Sequence, residues 1–233
     1  MASKKSGNGD FDFAQFRELF KAQQPGKTVV DSKQQRRYFL VVSEGKRTEP
    51  IYFQHLSEQL PKHLMDTVEV NGVGQNTVSV VKQAMMFRDK RLANKELPPY
   101  DEVWAVYDKD DFPAKRYHEA ITLAKSQGIE SGHSNQSFEL WYVLHFQYLQ
   151  SALHRNDYIS ILTKILRRRY QKNNAKITEQ ICTQGNVEQA ILWAKKLEEL
   201  HPDPDDATAC PYTRIYILVE RLLAYIQDRE PRY

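Results

Sequence analysis

Cysteine is scarce: Cys182 and Cys210 are the only two among 233 residues. They are not in CxxC spacing and are too few for a disulfide framework, so packed thiols rather than reactive ones are expected. Long hydrophobic runs are missing as well, since no window approaches the roughly 20 apolar residues a membrane span needs. The first ten residues, Met1 to Asp10, lack the apolar core of a secretion signal. There is no G-x-x-x-x-G-K-[ST] string, so the chain does not read as a Walker-type ATPase. Internal repeats and low-complexity runs are also absent. These absences point to a cytoplasmic protein that does not engage the membrane. Its hydrophobic content of 41% and charged content of 27% are ordinary for a globular chain.

The net charge of +3 says little about partners, but the distribution of charge says more. Carboxylates gather at Asp101 to Asp111 and at Asp203 to Asp206. Basic residues gather at Lys33 to Arg37, at Lys46-Arg47, and at Arg167-Arg168-Arg169 with Lys172. An acidic centre flanked by basic patches suits a site that holds cations and a polyanion together, although each patch taken alone also reads as a solvated face.

Three regions are expected. Residues 1–36 form a flexible extension with a short amphipathic helix at Phe11 to Gln24. Residues 37–150 alternate strand and helix, which argues a parallel α/β sheet of about four strands flanked by helices. Residues 151–233 are helical, at about 156–170, 186–200 and 211–228, and pack on the core. Within the middle region Tyr38 to Val42, Thr67 to Asn71, Val103 to Tyr107 and Ile129 to Ser134 read as strands. Helices are expected from Thr48 (which can cap, with Pro50 in the first turn), from Thr77, from Pro113, and over 137–149.

The run D-E-V-W-A-V-Y-D-K-D-D (101–111) is an apolar strand, of the kind buried on both faces of a parallel sheet, that ends in carboxylates. Asp108 and Asp110 are two apart and would project together from an extended segment, repelling unless a cation or protons neutralise them. The competing reading is a solvated acidic turn entering a helix. Glu44 ends an earlier strand, and ligands of open parallel sheets bind at that carboxyl edge. If the two strands are neighbours, Glu44, Asp108 and Asp110 meet, and oxygen-only ligands favour Mg²⁺ or Mn²⁺. A HAD-like phosphatase built on Asp108-Lys109-Asp110 leaves Glu44 unexplained.

Ser43-Glu44-Gly45 after an apolar strand, with a later strand ending in Asp108-Lys109-Asp110, resembles a TOPRIM domain. The longer strings E-G-K-R-T-E-P-I-Y-F (44–53), D-E-V-W-A-V-Y-D-K-D-D (101–111), S-N-Q-S-F-E-L-W-Y-V-L-H-F (134–146) and P-Y-T-R-I-Y-I-L-V-E-R-L (211–222) are similar to the RloB family. The resemblance implies a TOPRIM-like nuclease using Mg²⁺ or Mn²⁺ in a bacterial phage-defence or restriction setting. DNA or RNA would be its substrate and an RloA-like ATPase its partner, and a homo-oligomer is compatible with it. It assigns Glu44 to acid/base chemistry or metal ligation and Asp108 and Asp110 to the metal. A non-catalytic regulatory or nucleic-acid-binding module for an ATPase is the alternative.

Around that centre Glu139 is a carboxylate in an apolar helix, so it is either catalytic or satisfied by its helix amides or a lysine. Lys46, Arg47, Asn135 and Arg168 are candidate substrate contacts. Asn135 also reads as a helix cap, as does Glu49, and Asp111 as a cap or outer support. His145 reads as a satisfied core histidine or a base, and Thr213 as a cap of the last helix.

Overall fold

The runs Phe39 to Val42 and Val103 to Tyr107 are apolar at every position, so these two strands must be covered on both sides. In the computed structural model, which describes residues 36–73 and 76–227, this is how the sheet is built. Its strands are β1 (Phe39–Ser43), β2 (Val68–Gly72), β3 (Glu102–Asp108) and β4 (Glu130–Ser134), in the order β2-β1-β3-β4 with every pairing parallel. Phe39, Val41, Trp104 and Val106 face one core, and Leu40, Val42, Val103, Ala105 and Tyr107 face the other. The period of two thus divides one apolar run between two layers.

The crossovers are helical. Helix α1 (Thr48–Ser57) follows β1, α2 (Thr77–Ala93) follows β2, and α3 (Ala114–Ser126) follows β3. Helices α2 and α3 pack together over the Leu40 and Ala105 face through Val80, Val81, Ala84, Tyr117 and Ala120. Beyond β4 come α4 (Glu139–Leu144), α5 (Arg155–Ile165), α6 (Ala175–Gln184), α7 (Val187–Glu198) and α8 (Ile215–Ile226). Their Leu162, Ile181, Ala194 and Leu218 share a single core with Phe39, Tyr52 and Trp104, so the helical C-terminal part builds the second layer. The described residues, from Arg36 to Gln227, form one unit. No helix among the described residues is long and apolar enough to cross a membrane.

The structure departs from the sequence reading in four places. The helix expected over 137–149 is only Glu139–Leu144, because the amide of Asn186 takes the His145 carbonyl at 2.8 Å. Gly185 makes that closure possible, since a Cβ there would lie 2.6 Å from the Cβ of His145. Helix α6 was not foreseen; it carries only Ile177, Thr178 and Ile181 inward and starts on the Asn174 side chain, which accepts from the Lys176 and Ile177 amides. Helix α5 ends at Ile165, so Arg167 to Arg169 sit in an exposed turn, not on a helix face. Thr48 does not cap α1; its hydroxyl donates to Asn173 Oδ1 at 3.1 Å. The N-terminal helix expected over 11–24 lies outside the described residues.

The order β2-β1-β3-β4 places the topological switch between β1 and β3, the crevice where open α/β sheets bind ligands.

Candidate functional site

Glu44 is the first residue past β1, and its amide donates to the Val106 carbonyl of β3 at 2.8 Å. That bond extends the β1–β3 ladder by one step and sets Glu44 beside the end of β3. The carboxylate then accepts the Asp108 amide on Oε2 at 3.2 Å. Asp108 Oδ2 accepts the Phe138 amide at 3.0 Å, so the link from β4 to α4 fixes the second acid. Asp110 has left the strand, with φ of 46° in the left-handed region, and its side chain returns to the same crevice.

Gly45 is required by close approach rather than by φ. A Cβ there would sit 2.0 Å from Glu49 Oε2, and one on Gly72 would sit 2.5 Å from the Gly45 carbonyl oxygen. Packing the β2 end against the Glu44 turn therefore needs Gly72, and seating the Glu49 carboxylate beside that turn needs Gly45. Gly45→Ala is expected to push Glu49 aside and destabilise the fold by about 1 to 3 kcal/mol, checked by urea unfolding. Unchanged stability would mean that Glu49 has room the structure does not show.

The resulting cavity of about 180 Å³ is lined by Glu44, Gly45, Thr48, Glu49, Asp108, Asp110, Phe138, Glu139, Lys172 and Asn173. It thus gathers five acids and one lysine. Glu139, only 2% exposed, accepts Tyr170 Oη at 3.1 Å and lies 3.0 Å from Lys172 Nζ, so its carboxylate is satisfied by a lysine rather than by helix amides. Asn173 accepts the Thr48 hydroxyl and donates its amide back to Thr48 Oγ1 at 3.1 Å, tying the 170–173 link to α1. On the rim, Arg155 reaches Asp110 Oδ1 at 2.7 Å and Asp111 Oδ2 at 2.5 Å.

Crowding so many carboxylates costs free energy, and the protons record it. Burial pushes the Glu44 carboxyl up to about 7, helped by Asp110 and Glu49 and opposed by the Asp108 amide. Glu49 is also pushed up to about 7, by burial and then Glu139, against its own amide and Lys172. Burial and the charges of Glu49, Asp110, Glu139 and Glu44 raise Asp108 well above the usual carboxylate range. Several acids whose charged forms are disfavoured by burial and by one another, gathered in one crevice, are a mark of a functional site.

The donor set fits a hard divalent cation: every acidic donor is a carboxylate oxygen, and Glu49 Oε2 is buried without a hydrogen-bond partner. Among the described residues no three such side chains converge on one point as they stand. Each is turned to its own donor: Glu44 to the Asp108 amide, Asp108 to Phe138, Asp110 to Arg155, and Glu139 to Lys172 and Tyr170.

Glu44, Asp108, Asp110 and Glu139 therefore share one cavity. Lys46, Arg47 and Arg168 are exposed and do not line it. Asn135 is 2% exposed, gives its amide to the Ala207 carbonyl, and stands before α4 without capping it. Glu49 turns into the cavity while bonding its own amide, and Asp111 pairs with Arg155 instead of capping α3. His145 is a core histidine, with Nδ1 against the Trp141 carbonyl and Nε2 against the Tyr52 hydroxyl; burial pulls it down to about 4. The Thr213 hydroxyl bonds Ser134 at 2.8 Å and also accepts the amide of Ile215, the first residue of α8, at 3.4 Å, as the capping reading expects. The sequence reading did not single out Arg155 and placed Lys172 in a surface patch. Both act over tens of residues, and no local pattern marks them.

Compared with protein-family models, the chain matches that of RloB-like proteins over residues 39–222. No curated protein and no solved structure matches. The matched span begins at β1 and ends within α8, so it contains every residue that lines the cavity.

Proposed function

The chain belongs to the RloB-like protein family, and from that premise we propose that it is a metal-dependent, TOPRIM-type phosphodiester hydrolase acting on DNA or RNA. The observation that carries the reading is the meeting of Glu44, Glu49, Asp108, Asp110 and Glu139 in one cavity at the β1–β3 switch, with Glu49 Oε2 left unpartnered. A structural role alone does not account for so costly a cluster. The setting proposed from the family resemblance is phage defence or restriction, beside an ATPase partner.

Glu44, Asp108 and Asp110 would hold Mg²⁺ or Mn²⁺, which supplies neutralising charge at a phosphate and a more acidic bound water. The remaining chemistry belongs to the chain. Glu44 carries a carboxyl held at about 7, so near neutral pH it is balanced between taking a proton and giving one. That value belongs to the cation-free cavity; a cation on Glu44 would displace the proton and leave the carboxylate as a ligand. The Asp108 amide fixes the orientation of that carboxylate, and the Phe138 amide fixes Asp108 in turn. Glu139 and Lys172 set the charge of the far wall. The geometry is one of positioning and charge, which is what phosphodiester cleavage asks of a protein.

The ion pairs of Asp110 with Arg155 and of Glu139 with Lys172 favour a second reading. A cavity that supplies its own cations could serve as a non-catalytic regulatory module for the ATPase. Hydrolysis of plasmid DNA and of tRNA by the full chain with Mn²⁺, wild type against Asp108→Asn, separates the two readings. Cleavage that the variant lacks supports the hydrolase, and cleavage that the variant retains overturns the active-site assignment.

A further inference from the structure

The two basic side chains that reach the acidic cluster both come from the helical C-terminal part. Arg155 opens α5, and its amide is placed by Gln136 Oε1 at 3.3 Å. Lys172 lies in the link between α5 and α6. Neither is locked in the core, since their side chains are 30% and 48% exposed. Each is engaged with a carboxylate that belongs to the site: Arg155 with Asp110, and Lys172 with Glu139.

We infer that Arg155 and Lys172 are the phosphodiester-binding pair of this site, stored on Asp110 and Glu139 until a divalent cation enters the cavity and its charge weakens both contacts. The inference rests on the metal-dependent reading above and adds an order of binding to it, cation first and nucleic acid second.

Charge dictates that order. Five carboxylates in one cavity repel a polyanion as long as they lack a counter-charge. In the resting protein Arg155 and Lys172 supply part of it and are therefore unavailable to a substrate. A divalent ion on Asp110 would set like charge beside the guanidinium and weaken the Arg155 contact. Arg155, still paired through Nη2 with the exposed Asp111, then has Nη1 free for a phosphate oxygen, and Lys172 a compact charge for another. Glu139 is not orphaned when Lys172 turns away, because the Tyr170 hydroxyl stays on Oε1. The backbone of the 170–173 link stays in place through the paired Thr48 and Asn173 bonds, so the release is a side-chain movement.

The test measures binding, not turnover. Anisotropy of a fluorescein-labelled single-stranded oligonucleotide, in DNA and RNA versions, is read with the full chain at pH 8 in EDTA and in Mn²⁺. Electron paramagnetic resonance of Mn²⁺ reports ion binding in parallel. Wild type is expected to bind the oligonucleotide about tenfold or more tightly once Mn²⁺ is present, the size of one charge-assisted contact or more. Arg155→Gln and Lys172→Met should each lose most of that gain while binding Mn²⁺ at least as tightly as wild type. Arg155→Lys should recover part of it. Equal Mn²⁺-dependent tightening in wild type and both variants would overturn the inference and leave the metal reading intact. Wild type that binds no Mn²⁺ would overturn both. Variants that lose Mn²⁺ binding would show that the two side chains only hold the fold, and would also overturn it.

Discussion

Asparagine in place of Asp108 is expected to lower phosphodiester hydrolysis at least about a thousandfold, the loss of some 4 kcal/mol of transition-state stabilisation. The same change should make the metal-free protein more stable. The Phe138 amide needs only an oxygen acceptor, which the asparagine amide provides, so the local bond at 3.0 Å survives. What disappears is an acid whose charged form burial, Glu49, Asp110, Glu139 and Glu44 all disfavour, so the gain appears at the alkaline pH where that acid would ionise. Relief of that repulsion is worth about 1 to 3 kcal/mol, or roughly 3 to 10 °C in melting temperature for a chain of this size. Gain of stability with loss of activity is the mark of a residue kept for function at a cost to the fold. Cleavage within tenfold of wild type, or a lower melting temperature with no loss of activity, would place Asp108 among the structural residues instead.

The second large effect is that Mn²⁺ stabilises the protein strongly at pH 8 and weakly at pH 5.5. In EDTA, Glu44 and Glu49 hold their protons up to about 7 in the folded protein but release them near 4.5 when unfolded. Raised folded values mean that stability is full below the unfolded value and is lost as pH climbs through the folded one. His145 works the other way. Burial pulls it down to about 4 from 6.5, so its contribution is present above 6.5 and lost as pH falls. His133, also pulled down by burial, follows the same sign. The opposing trends overlap between about 4.5 and 6.5, and only the carboxyls are still titrating above that. The melting temperature in EDTA should therefore fall from pH 6.5 to 8. Mn²⁺ competes with protons for the same oxygens, so its effect should grow across that window. At a hundredfold excess over its Kd it should contribute about 2.7 kcal/mol, or roughly 5 to 10 °C. Differential scanning fluorimetry at several pH values checks this, with Asp108→Asn as the control that should lose the Mn²⁺ response. A Mn²⁺ shift that is independent of pH, or unchanged in the variant, would contradict it.

The parts of the molecule decided by short-range pattern were legible in the sequence. The Val103 to Tyr107 and Tyr38 to Val42 runs are apolar at every position because both faces of β3 and β1 are covered. Parallel order then puts Glu44 and Asp108 at the same edge. What long-range bonds decide was not legible. Helix α4 stops at Leu144 because Asn186, more than a helix away in sequence, takes the His145 carbonyl. Asn135 looks like a cap until the Ala207 carbonyl and the Tyr212 carbonyl claim its side chain and amide. Arg155 and Asp110 are 45 residues apart and meet only because α5, packed against α4, begins beside the turn that follows β3. Basic clusters in sequence, such as Arg167 to Arg169, turned out to be solvated, whereas the cations of the site are two isolated side chains.

The central claim is that the carboxylates at the β1–β3 switch form a cation site. A crystal soaked in Mn²⁺ at pH 8 and measured at the manganese edge tests it most directly. The account predicts an anomalous peak bounded by Glu44, Asp108 and Asp110, with Arg155 drawn away from Asp110. A crevice without a peak at saturating Mn²⁺, with Arg155 still on Asp110 and Lys172 still on Glu139, would contradict it.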